Sequence, residues 1–170
     1  MSIKMVHAAM VDSFADKFAD TVSEIRAYAA VDGSVITPSI IIAMESADEG
    51  EDCGDGRVAI NAKFCVYCYL GINTLNIQLE LREFVTQVFA HVKNNVWNVD
   101  NVLVPQHIEA GPGDFNPADN GFESWYVSWE QTIYLGDSVW DASGIVPSEV
   151  YLGLSPDIGN GHIDDYEQLV

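Results

Sequence analysis

The 170-residue chain sets seven Lys and Arg against 26 Asp and Glu, a formal net charge of −19, while 48% of its residues are hydrophobic. That length fits one domain with enough apolar material for a core, so acidity alone does not make the chain disordered. No Lys or Arg follows Lys93, whereas 13 acidic residues do; a grip on nucleic-acid phosphates and attraction to an anionic membrane both need cations and are excluded.

No run approaches the roughly 18 uncharged apolar residues of a membrane span, and Asp12 and Asp16 enter too early for a signal-peptide core. Three cysteines (Cys53, Cys65, Cys68) are an odd number and few for a disulfide scaffold. The expectation is a soluble cytoplasmic product.

In chain order, residues 5–30 predict an amphipathic helix. Met10, Phe14, Phe18, Val22 and Ile25 recur at spacings of three and four, and Asp12, Asp16, Asp20 and Glu24 form a second, acidic row. Asp32-Gly33 suits its cap. Residues 39–44, Ser-Ile-Ile-Ile-Ala-Met, read as a short buried strand. Residues 45–56 hold six acids (Glu45, Asp48, Glu49, Glu51, Asp52, Asp55) and three glycines, the composition of an exposed, mobile loop.

Residues 57–70 alternate as a long strand. Val58, Ile60, Ala62, Phe64 and Val66 face one way, and Arg57, Asn61, Lys63, Tyr67 and Tyr69 the other. Residues 74–94 predict a second helix, capped by Asn73 or Thr74, with a wide apolar face that covers the sheet. Residues 102–110 are a strand interrupted by Pro105, which favours an edge or entry position. After the turn-rich stretch 111–121, residues 122–134 alternate strictly, with Trp125, Val127, Trp129 and Ile133 on one face.

The order is thus α-β-β-α-β-β, without βαβ alternation. This predicts an α+β fold, a mostly antiparallel four-stranded sheet covered by two helices, over residues 1–135. Residues 136–170 lose all period and read as an extended C-terminal arm. Its apolar anchors, Trp140, Tyr151 and Leu152 among them, need another surface to order them.

Chemical signatures are sparse. Cys65-x-x-Cys68 on a strand sends its sulfurs to opposite faces, which does not suit one metal. Counted from Asp48, the acidic loop puts glycine and alanine where a calcium loop needs carboxylates. His7, His91, His107 and His162 lie on separate elements, and no phosphate-binding glycine loop or nucleophile elbow appears. The expectation is no enzyme, no metal and no cofactor.

Three segments carry a resemblance: Arg57-Val-Ala-Ile-Asn-Ala-Lys-Phe, Trp125-Tyr-Val-Ser-Trp-Glu-Gln and Val150-Tyr-Leu-Gly-Leu-Ser-Pro-Asp-Ile-Gly. Each is similar to proteins encoded among the head–tail joining and tail genes of Mu-like and related long-tailed phages. The element order also resembles that of tail-terminator, or tail-completion, proteins. The resemblance runs from the first helix to the arm and implies a structural virion protein with no catalytic residue.

By that resemblance, six copies form a ring that caps the tail tube, ends tube growth and receives the head connector, or neck. Self, tail tube protein, connector and the sheath protein are the implied partners, and DNA passes through the ring unbound. Assembly contacts are then expected from Arg57, Lys63, Tyr67 and Tyr69 on the long strand and from Trp140, Tyr151 and Leu152 on the arm. Arg57 and Lys63 would pair with the acidic row of a neighbour's first helix. Glu45, Asp48, Glu49, Glu51, Asp52 and Asp55 would line the lumen, where like charge repels DNA. Three alternatives stay open: another neck or connector ring, an acidic DNA-mimicking inhibitor, and an enzyme whose charge is a salt adaptation.

Overall fold

The protein is seen in a computed structural model that describes residues 1–28, 35–113, 121–140 and 148–169. It separates into two units, Met1–Ser138 and Val139–Val170. The first holds two helices, α1 (Ile3–Phe18) and α2 (Ile77–Val92), and five strands: β1 (Glu24–Ala27), β2 (Ser39–Glu49), β3 (Val58–Gly71), β4 (Gln106–Pro112) and β5 (Phe122–Leu135). The fold is mixed α+β. Its sheet runs β1-β2-β3-β5-β4, parallel between β1 and β2 and antiparallel elsewhere.

The sheet has five strands rather than four, because the expected first helix is two elements. α1 stops at Phe18, and residues 24–27 become an edge strand paired in register with Ser39–Ile42. Thr21, Val22 and Ser23 lower helix propensity there, yet only pairing with β2, distant in sequence, turns the segment into strand. The apolar period misled because Val22 and Ile25 pack against the same core from the new element. The Asp32-Gly33 cap, the centre of the 111–121 stretch and the arm residues 141–147 lie outside the described residues.

A second difference lies in the acidic run. β2 continues through Glu45 and Asp48 to Glu49, crossing a bulge between Met44 and Ser46, because β3 offers a ladder as far as Ile60. Backbone pairing outweighs the weak strand propensity of Asp and Glu. α2 starts at Ile77, behind a turn closed by the Thr74 amide on the Gly71 carbonyl, and left-handed Asn94 ends it. β4 begins just after Pro105 and is an edge strand.

Both helices cover one face of the sheet. Val6, Met10, Phe14 and Phe18 of α1 and Leu81, Val85 and Val88 of α2 close over Ile40, Ile42, Phe64, Val66, Val127 and Trp129. The alternation read from β3 and β5 therefore decides which side chains are core. Among the described residues, no helix of the unit covers the face that their other side chains form.

The second unit has a two-stranded ladder, β6 (Tyr151–Leu152) with β7 (Glu167–Gln168), and a 3-10 turn at Ile163–Asp165. The sequence reading did not foresee this secondary structure. Tyr166 organises it: its ring lies against Gly153, where a Cβ would stand 2.6 Å from Cε1, and its hydroxyl accepts the Gly159 amide at 2.8 Å. No described residue of this unit is buried.

Candidate interaction surface

The helix-free face of the sheet gathers several residues that the sequence singled out. Along β3 it carries Asn61, Lys63, Cys65, Tyr67 and Tyr69, set opposite Thr132, Glu130, Ser128, Tyr126 and Ser124 of β5. Tyr69 packs edge-on against Phe122, with ring centroids 5.0 Å apart. The Tyr67 hydroxyl donates to Glu45 Oε1 at 2.7 Å, so a strand anchor and a loop acid of the sequence reading meet on one surface. Beside them lies a shallow concavity of about 140 Å3 lined by Glu45, Lys63, Cys65, Glu109 and Tyr126. Burial pushes the Cys65 thiol up to about 12, and burial followed by the bond to Glu45 raises Tyr67. Both stay protonated and inert as nucleophiles at neutral pH.

Arg57 is engaged inside its own chain. Its Nε donates to Asp55 Oδ2 at 2.7 Å, its Nη1 donates to the Asn101 side chain, and its guanidinium lies 4.8 Å from the centroid of the Tyr134 ring. Asp55 is buried, unlike the other five acids of its run. The Cys53 thiol first, then the Arg57 amide and side chain, hold its carboxyl down to about 2. Glu45, Asp48, Glu49, Glu51 and Asp52 are exposed. The Asp-x-Arg spacing beside the β2–β3 turn was a legible sign of the local Asp55–Arg57 pair, but its partners Asn101 and Tyr134 were not.

Trp140, 78% exposed, stands with Tyr151 and Leu152 among nine large apolar side chains that the described residues between Val139 and Leu169 include, each at least 40% exposed. A small unit cannot bury such groups on itself.

A third place was missed by the sequence reading. In a cleft of about 550 Å3 beside α1, Ser13 Oγ lies 3.0 Å from His91 Nε2, and Asn95 donates to Ser13 at 3.3 Å. Burial lowers His91 and keeps it neutral. Its ring packs against Phe14 and Phe18 at centroid distances of 4.9 and 5.6 Å, so the pair ties the two helices together. No periodicity joins residues 78 positions apart.

Among the described residues no helix is long and apolar enough to cross a membrane. Comparison with protein-family models and with curated proteins finds no match in either.

Proposed function

We propose that this chain is the tail terminator of a long-tailed phage, a structural virion protein whose copies assemble as a ring on the last turn of the tail tube, end its growth and offer the docking surface for the head and neck. The observation that carries this reading is the second unit, whose described residues include nine exposed large apolar side chains and not one buried residue. Such a segment gains its stability on an assembly partner. The helix-free sheet face of the first unit adds a second contact surface. The exposed acids Glu45, Asp48, Glu49, Glu51 and Asp52 suit a ring lumen, where they repel passing DNA.

Electron microscopy of tails assembled without this protein tests the role. Tubes of uncontrolled length are the expected outcome. Tubes of normal length that fail to join heads would assign the chain to a connector or stopper ring instead, and normal virions would remove it from the neck altogether.

A further inference from the structure

Asn is followed by Gly twice in the sequence, at Asn120 and Asn160, and Asn120 lies outside the described residues. Asn160 and Gly161 are the central residues of a turn in the second unit, closed by the His162 amide on the Gly159 carbonyl at 2.9 Å. Both are exposed. Among the described residues, neither the Asn160 side chain nor the Gly161 amide has a hydrogen-bond partner. Apart from its chain neighbours, nothing lies within 4 Å of the place a Cβ on Gly161 would take.

The Asp-Gly pair at Asp55–Gly56 shows what restraint looks like. Asp55 is buried, and its carboxylate accepts the Cys53 thiol at 2.9 Å, the Arg57 amide at 3.1 Å and Arg57 Nε at 2.7 Å. That side chain is held away from the following amide. Asn160 has no such hold, and no described residue of its unit is buried, so the turn opens at little cost.

We infer that Asn160 is a self-modification site, whose amide converts in water to isoaspartate and aspartate and recasts the turn around it. The Gly161 amide nitrogen, having lost its proton to base, attacks Asn160 Cγ. The N–Cγ bond forms, the Cγ–Nδ2 bond breaks, and ammonia leaves with a proton from water. Glycine favours the attack, since no Cβ crowds the nitrogen and φ turns freely. Water then opens the cyclic imide. Opening at Cγ leaves aspartate; opening at the main-chain carbonyl leaves isoaspartate, with the chain running through Cβ and Cγ and one methylene longer. One water is consumed and one ammonia released, with no change of oxidation state.

The conversion has a structural consequence. With Tyr151, Gly159, Ile163 and Tyr166, Asn160 lines a concavity of about 420 Å3. The new carboxylate enters that lining, in a unit where Asp157, Asp164 and Asp165 are already exposed. The added methylene draws the Gly159 amide off the Tyr166 hydroxyl that accepts it at 2.8 Å. The inference does not rest on the tail-capping role.

The test keeps the folded full chain in warm, mildly alkaline, ammonium-free buffer for several days, followed by chymotryptic mapping and mass spectrometry. Asn160 should gain the mass of an amide-to-acid exchange and appear as two chromatographic isomers, one of them a substrate for isoaspartyl methyltransferase. Asn61, Asn73, Asn76 and Asn95, each followed by a residue with a side chain, should stay amides over the same time. Gly161→Ala meets open space and a φ outside the left-handed region, so it keeps the turn and should slow conversion severalfold. The converted fraction, separated by anion exchange, should lose amide-exchange protection at Gly159 while β3 and β5 keep theirs. Four outcomes each overturn the inference: conversion no faster than at Asn95, conversion only after unfolding in urea, an unchanged rate in Gly161→Ala, or unchanged protection of Gly159 in the converted chain.

Discussion

Gln131 sits at an inward position of β5, where the alternation calls for an apolar side chain, and is 1% exposed. Its Oε1 accepts the indole N–H of Trp97 at 2.8 Å and of Trp129 at 3.0 Å, and its Nε2 donates to the carbonyls of Asn95 and Leu103 at 3.1 and 2.6 Å. One side chain satisfies two buried tryptophans and fastens the segment between α2 and β4 to the sheet. Gln131→Leu keeps the volume but orphans these groups. It should cost about 4 kcal/mol, several unsatisfied buried groups at roughly 1–3 each, read as a lower urea midpoint at unchanged slope. His7 is the other buried polar residue with a consequence. Burial lowers its pKa below 6.5, and its Nδ1 has no hydrogen-bond partner; burial lowers His91 as well. A lowered folded value means that the unfolded chain binds the proton first, so this stability is present above pH 6.5 and is lost as pH falls below it. Urea unfolding at pH 7.5 and 5.5 should show the loss, and His7→Asn should reduce it.

At the scale of elements, the long strands β3 and β5 were legible because alternation over 14 residues admits one reading. β1 was not legible, since four residues show no period and each pairs with a residue 15 positions further along the chain. In the second unit local order rests on contacts rather than on period. Tyr166 spans from Gly153 to Gly159 beside the β6–β7 ladder. Tyr166→Ala should therefore abolish amide-exchange protection at Leu152 and Gly159 and leave the protection of β3 and β5 as it was.

Over the whole molecule, among the described residues, the hydrophobic core contains none beyond Leu135. A chain ending at Ser138 should unfold cooperatively at a midpoint within about 1 kcal/mol of the full chain, as expected when no core contact is lost, measured by circular dichroism in urea. A much larger loss would show that the second unit supports the first. The charge of −19 also separates into parts. Asp55 is spent on Arg57, whereas Glu45, Asp48 and Glu49 are exposed on β2.

The sequence by itself determined the acidity, the α+β class and the two long strands with their inward faces. Each of these follows from composition or from a period that runs long enough to be unambiguous. Tertiary structure alone decided that residues 24–27 are strand, that β2 extends into the acidic run, that Gln131 belongs in the core, and that Ser13 meets His91. All four depend on partners distant along the chain, where pairing and burial free energies exceed the local preferences that a sequence displays.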